Sequence, residues 1–291
     1  MASNDDRRRI RFWRPDSPSV AGMLRVEHED RIRTTYSEQF VVVVVYEGAF
    51  DGWYRGAVRT HVAGAINLKE PGEVHRGVRI HVPFTIQGAT FTSAMVAAAA
   101  DALGLRGPVQ FRSSGFGPGD RAAELGFAMH AALIRPDAPE IERATRVAEA
   151  LTELLSDAAR SDAADRKRAP RAIRRARAFL HDSLADKVTL DELARFAGLD
   201  KFHLVRAFRA EIGLPPYEYL THARIAKAKQ LLQRGGLVAD VAQAVGFCDE
   251  SQLHRHFRRI VGIPPGRFAK SFNRCDPANI AQSRRSGAGA C

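Results

Sequence analysis

The chain has 291 residues, 45% of them hydrophobic, with 44 Lys and Arg against 33 Asp and Glu and a formal net charge of +11. That length accommodates two domains with real cores, and the mixed composition is that of a soluble globular protein. Its cysteines, Cys248, Cys275 and Cys291, are scattered, which excludes a disulfide framework and a Cys-rich zinc site and fits a reducing cytoplasm.

The first ten residues, MASNDDRRRI, lack an apolar stretch, so no secretory signal is expected and the location reads as cytoplasmic. Residues 1–17 read as an irregular basic arm with Phe12 and Trp13 as anchors. From about 20 to 92 come short β-rich runs broken by glycines: FVVVVVYEG, WYRGAVRTHVAG, AINLKEPGEVHRG and VRIHVPFTI. Strands at such close spacing predict a small barrel or double sheet. Phe40 to Tyr46 is too short to span a membrane and β-branched enough to be a buried strand, so no membrane partner is expected.

From Ser93 the pattern turns helical, with helices expected over 93–103, 120–133 and 139–158. The last puts Ile141, Val147, Ala148, Leu151, Leu154 and Leu155 on one face. Such a stripe either packs on its own domain or pairs two chains as a dimer contact, and the periodicity leaves both open. Residues 161–170 (SDAADRKRAP) read as a linker, 171–272 as a second, all-helical domain, and 273–291 as a disordered tail. The first domain then covers 18–160, and the fold class is α+β.

Charge follows this division. Arg166 to Arg274 holds 22 Lys and Arg against 10 Asp and Glu, an excess of +12, which leaves the remainder at −1. A basic excess confined to one domain is the footprint of a polyanion partner.

The second domain contains one pattern twice, at 190–213 and 238–262. LARFAGLDKFHLVRAFRAEIGLPP is followed by VAQAVGFCDESQLHRHFRRIVGIPP. Leu193 and Val241, Ala194 and Ala242, Gly198 and Gly246 pair at an offset of 48. Leu204 and Leu253, Arg206 and Arg255, Phe208 and Phe257, Gly213 and Gly262 pair at 49. Each copy predicts a short helix, a glycine turn that reverses the chain, and a second helix capped by Asp200 or Asp249. Leu204, Phe208 and Ile212, and likewise Leu253, Phe257 and Val261, recur on one inward face. This is a duplicated helix-turn-helix.

These residues resemble the AraC/XylS family of bacterial transcription regulators. The match runs through Leu193-Ala194, Gly198, Leu204, Phe208, Gly213 and Pro216, then Arg224-x3-Ala228-x2-Leu231-Leu232, then Val241-Ala242, Gly246-Phe247, Phe257-x4-Gly262 and Pro264-Pro265. The first domain is similar, more loosely, to that family's cupin-like effector domain through Glu70-Pro71-Gly72-Glu73-Val74-His75.

The resemblance implies two units joined by a rigid helix at about 217–234, reading successive major grooves of double-stranded DNA. It assigns Lys201, Phe202, Val205 and Arg206 to base edges in the first unit, and Glu250, Ser251, Gln252, His254 and Arg255 in the second. Arg206 and Arg255 would bind guanine, Gln252 adenine, and Phe202 and Val205 thymine methyls. Lys201, Arg209, Arg258, Arg259 and Arg267 would position the protein on phosphates. A homodimer and, for an activator, a contact with RNA polymerase are the further partners it implies.

No His-x-His occurs among the first domain's histidines, and no P-loop, dinucleotide fingerprint or nucleophile elbow appears, so neither metal, cofactor nor enzyme activity is expected. A small-molecule effector in the first domain is expected instead. Tyr46, Trp53, Arg55, Arg59, His61 and His75 are the candidate aromatic walls and polar anchors, with core packing as the competing use of each. Three alternatives are a constitutive regulator with a degenerate pocket, a metal-cupin enzyme fused to a DNA reader, and a sequence-independent architectural protein.

Overall fold

The computed structural model describes residues 10–273 except 106, 108, 112 and 160–169. The linker expected at 161–170 therefore lies mostly outside the described residues, as do residues 1–9 and all but the first residue of the tail. The α+β class is realised as an antiparallel sheet followed by helices.

Eight strands form one sheet: β1 (Ile10–Trp13), β2 (Gly22–Glu29), β3 (Thr34–Ser37), β4 (Phe40–Tyr54), β5 (Ala57–Val62), β6 (Ile66–Lys69), β7 (Glu73–Phe91) and β8 (Gly115–Phe116). The main path runs β1-β2-β7-β4-β6-β8, with β3 added to β7 and β5 to β4. Val41 to Val45 lie at the sheet's centre, flanked by β6 and β7 and buried throughout, which is why this run is apolar without alternation. Beyond Tyr46 the same strand emerges from the core and carries β5 as an edge.

Two expectations change. VRIHVPFTI is not a separate strand but the middle of β7, which continues for 19 residues. The ladder absorbs Pro83, which has no N–H, through register shifts around Glu47 and Ala49. The N-terminal arm is also ordered from Ile10: β1 pairs with β2 in register Ile10↔Val26 to Trp13↔Met23. Phe12 packs toward the last helix and Trp13 toward the sheet core, so both do anchor the segment.

Helices α1 (Ser93–Ala102), α2 (Arg121–Ile134) and α3 (Glu140–Ala159) close over the sheet. Val147, Leu151, Leu154 and Leu155 are buried in the chain's own core with Val42, Ile66 and Met129. Those four side chains are thereby withdrawn from a dimer contact. Burying each contributes about 1.5–3 kcal/mol here, which fixes the packing alternative. Ile141 and Ala148 of the same stripe stay exposed.

The second domain consists of α4 (Arg171–Asp182), α5 (Leu190–Ala197), α6 (Lys201–Ile212), α7 (Pro216–Gln233), α8 (Val238–Ala244), α9 (Glu250–Val261) and α10 (Pro265–Asn273). Its two cores each borrow from the sheet. Tyr36 and Val74 join the core of the first unit, with Leu204, Phe208 and Tyr219. Ile10 joins the core of the second, with Leu253, Phe257 and Phe268. A hydrogen-bonded chain adds to this docking, with His181 Nε2 3.2 Å from the Tyr36 hydroxyl and 2.8 Å from that of Tyr219.

Candidate functional site

Each helix-turn-helix unit is built from local rules. Thr189 caps α5 in a reciprocal capping box with Glu192, and Gly198 ends it in the left-handed region at φ 75°. Asp200 then starts α6 by accepting from the backbone N–H of Phe202 at 3.0 Å and of His203 at 2.9 Å. In the second unit Asp249 caps α9 by accepting from Gln252 N at 2.7 Å. Leu204 and Phe208, and Leu253 and Phe257, are buried, so the opposite faces turn outward.

The outward faces carry different chemistry. On α6, Phe202 (77% exposed), Arg206 and Arg209 share a surface with half-buried Val205. On α9, Ser251, Arg255, Arg258 and Arg259 are exposed beside half-buried Gln252 and His254. Arg206, Arg209, Arg255 and Arg258 form no ion pair among the described residues, which leaves them to external anions. Lys201 instead pairs with Asp191 at 3.3 Å, and His254 with Glu250 at 3.3 Å. Both pairs are solvent-exposed and exchange easily for a phosphate or base. Arg259 lies 3.5 Å from His256 Nδ1, and Arg267 is half-buried on α10 rather than on a reading helix.

Gln252 also has a local role. Its Oε1 accepts from Cys248 N at 2.9 Å, completing a reciprocal cap with Asp249. Bidentate reading of adenine needs that oxygen as acceptor and the amide nitrogen as donor together. That oxygen keeps a second lone pair, so the bond holds the side chain at the start of α9 without removing it as an acceptor.

A second site lies where the sheet meets α7. A cavity of about 250 Å³ is walled by Val41, Val43, Phe50, Ile80, Phe84 and Ile86 from the sheet and by Ile225, Ala226, Val261 and Phe272 from the helices. Of the six effector candidates, Trp53, Arg59, His61 and His75 line it. Tyr46 and Arg55 do not. Tyr46 packs edge-on against Phe127 in the sheet core, under the Arg25 guanidinium. Arg55 is engaged by Glu70 at 2.9 Å and Glu73 at 3.1 Å, a structural tie at the sheet's edge.

The residues that sequence reading missed are Lys69 and Lys229. Both are half-buried, with side chains opening onto the cavity. Lost hydration pushes each down to about 8, and for Lys69 the Lys229 charge adds to it. Lys69 Nζ donates to Thr35 Oγ1 at 2.9 Å. Lys229 sits over the rings of Phe12 and Phe268, at 5.6 and 5.7 Å. The nearby Glu38 carboxyl is raised by burial, against the pull of Lys227 and Lys229, and accepts from Gln230. Burial, and then the Lys69 charge, also lower His75 well below its usual range and His61 to about 4.

Four cavity-lining residues hold a buried polar atom without a hydrogen-bond partner among the described residues: Asn67 Oδ1, His75 Nε2, Arg76 Nε and His222 Nδ1. Each such atom costs about 1–3 kcal/mol, so a seam evolved for packing alone would not gather them. Among the described residues no group of three or more His, Cys, Asp or Glu is placed to hold a metal. No helix among them is long and apolar enough to cross a membrane.

Two helix-turn-helix units on one chain, joined by a buried helix and docked on an antiparallel sheet, define a two-domain helix-turn-helix protein with a cavity at the domain seam. Comparison with known proteins gives the family. Residues 193–271 match the family described as a helix-turn-helix domain. The chain is 32% identical over 94 residues to the HTH-type transcriptional activator AarP of Providencia stuartii, a match covering 32% of this chain and 70% of AarP. It is 38% identical over 92 residues to a putative AraC-like transcription regulator of Streptomyces lividans, covering 31% of this chain and 30% of that protein. The chain belongs to the AraC-type family of helix-turn-helix transcriptional regulators. With several other relatives, as with the Streptomyces one, the match spans only about 30% of their length. Over the whole chain, the fold is similar to that of ToxT from Vibrio cholerae in its P21 crystal form, with a TM-score of 0.51 at 9% identity, covering 91% of this chain and 99% of that one. The unsaturated fatty acid bound form of wild-type ToxT gives a TM-score of 0.52 at 9% identity, covering 89% and 94%.

Proposed function

We propose that this protein is a sequence-specific DNA-binding transcriptional regulator controlled by an amphipathic anion bound at the seam between its domains. One observation carries the reading: a single cavity is lined both by the sheet and by α7, the helix that joins the two units. A ligand there touches sensor and reader together, so it has a direct means of favouring one arrangement over another. The ligand class follows from the lining. Lys69 and Lys229 supply positive charge in a poorly hydrated place, and the walls beside them are aliphatic and aromatic. The fatty acid named for ToxT belongs to this chemical class.

The same reading covers what surrounds the site. The chain is not an enzyme, acts in the cytoplasm, and needs no cofactor. On DNA, Arg206 and Arg255 read bases, while Arg209, Arg258 and Arg259 hold phosphates. Assembly as a homodimer on paired half-sites must use surface other than the buried α3 stripe. Contact with RNA polymerase belongs to the activator form of this mechanism.

The test uses palmitoleate as probe and its methyl ester as control. Palmitoleate raises the melting temperature and changes the affinity for a discrete DNA footprint, whereas the ester does neither. Equal effects of acid and ester would remove the role given to the lysines. The absence of any discrete footprint would remove sequence-specific reading.

A further inference from the structure

The repeat places Gly213 and Gly262 at equivalent positions, each ending a reading helix in the left-handed region, at φ 88° and 92°. That conformation alone favours glycine there. The two sites share a second feature that the repeat does not require. A Cβ on Gly213 would lie 2.7 Å from Cη2 and 3.0 Å from Cε3 of Trp53. A Cβ on Gly262 would collide with Cδ1 of Ile10 and stand 3.2 Å from Arg33 Nη1. The first domain therefore grips both units at the same point, through Trp53 at the first and through Ile10, with Arg33 beside it, at the second.

Both gripping residues also border the cavity. Trp53 extends from β4, where it pairs with Val58 and Arg76, and the Arg76 guanidinium lies over its ring at 5.6 Å. Ile10 extends from β1 and is buried in the core of the second unit. The end of α6 is thus one side chain away from the cavity, through Trp53, whereas the end of α9 meets it directly at Val261 and also through Ile10, so the two units reach the cavity by separate routes.

We propose that Trp53 and Ile10 are the coupling residues of this regulator: Trp53 transmits the state of the cavity to the first reading helix, and Ile10 to the second. They are positioning residues, since neither lies on the DNA-reading faces. The part of this that involves a ligand rests on the effector reading above; the two grips themselves do not. Independent routes allow the two units to be released separately, so the two halves of the operator can respond unequally to one ligand.

The experiment is hydrogen exchange followed by mass spectrometry on the full chain, with protection of amides 41–45 in β4 as the control for an intact sheet. Without ligand, Trp53→Leu lowers protection of residues 208–216 about tenfold and leaves 257–265 unchanged, and Ile10→Ala does the reverse. A double-mutant cycle guards against general damage. Gly213→Ala collides with Trp53, so Gly213→Ala combined with Trp53→Leu is better protected at 208–216 than Gly213→Ala alone. Strict additivity in that cycle, or equal loosening of both units by either single variant, overturns the proposal. Addition of palmitoleate then shifts protection at both helix ends in the wild type, but only at the second in Trp53→Leu. A wild type indifferent to palmitoleate that still shows the two selective losses keeps the grips and overturns the effector reading instead.

Discussion

Replacing Lys69 by methionine separates a lysine kept for a ligand from one kept for the fold. Its ammonium is held at about 8, from an ordinary value of 10.5, by lost hydration and by Lys229. A lowering of that size corresponds to about 3 kcal/mol against the charged form in the folded state. Because the side chain opens onto the cavity, water offsets part of it, and about 2 kcal/mol is the better figure. Loss of the bond to Thr35 returns about 1 kcal/mol at most, since Thr35 Oγ1 also faces the His75 carbonyl.

Methionine has a similar length and no charge, so Lys69→Met stabilises the ligand-free protein by about 1–2 kcal/mol at pH 7. The pH dependence identifies the cause. The unfolded chain holds its proton up to about 10.5 and the folded one only to about 8, so the penalty is complete below pH 8. It shrinks as pH rises from 8 to 10.5 and vanishes above. Urea titrations at pH 7 and pH 10 read the difference directly. The same variant loses palmitoleate binding. A variant that is destabilised, or whose gain is the same at both pH values, refutes the argument that Lys69 carries an uncompensated charge.

The remaining predictions concern protons, acid and DNA. At pH 8 the two cavity lysines are each about half-protonated, so binding a carboxylate takes up about one proton. Calorimetry in buffers of different ionisation enthalpy measures this uptake, and a zero slope would contradict anion capture by that pair. His130 donates from Nε2 to Val42 O at 3.1 Å and accepts at Nδ1 from Gln87, and burial lowers it to about 4. Since the unfolded histidine takes its proton near pH 6.5, stability falls as pH drops from 6.5 toward 4, and His130→Gln flattens that slope. Arg255→Ala should cost about 1–3 kcal/mol and relax preference at one base pair, whereas Arg258→Ala should weaken all sequences alike and lower the salt slope by about one. Identical behaviour of the two variants would show that Arg255 does not read a base.

The parts of the molecule legible in the sequence are those set by neighbours along the chain. Asp200 and Asp249 start their helices and Gly198 turns the first unit because caps and left-handed turns are chosen within a few residues. The helices α1 to α3 were legible for the same reason, their periodicity being local. What was not legible depends on docking. Ile10 to Trp13 is too short to show alternation and becomes a strand only because β2 offers it a ladder. Gln252 has the right residue type for reading adenine, and the sequence does not show that its oxygen also accepts from Cys248 N.

Lys69 and Lys229 stand 160 residues apart and meet only because α7 lies against the sheet. A signal for them did exist. Lys69 closes INLK, whose first three residues are buried, and Lys229 stands among Ile225, Ala226, Ala228 and Leu232 in a helix buried on several faces. A lysine inside such a helix must either reach water along its stem or face a polar partner.

That seam also explains how one ligand can govern a reader whose own units are well packed. Each unit has a closed apolar core, and each core is completed by a side chain from the sheet, Tyr36 or Ile10. Docking is therefore favoured by apolar burial. It is opposed in the same place by two lysines short of hydration and by buried polar atoms without partners among the described residues. An anion relieves the opposing part and leaves the favourable part intact, so its affinity is greater for the docked arrangement than for any in which the seam opens to water. On the proposed effector reading the ligand then holds the domains together by linkage, and DNA that requires a different disposition of α6 and α9 competes with it. The coupling can be no larger than the difference in ligand affinity between the two arrangements. The charges of Lys69 and Lys229 set that difference, so converting both to methionine should favour the docked arrangement without ligand, weaken DNA binding, and make it indifferent to palmitoleate.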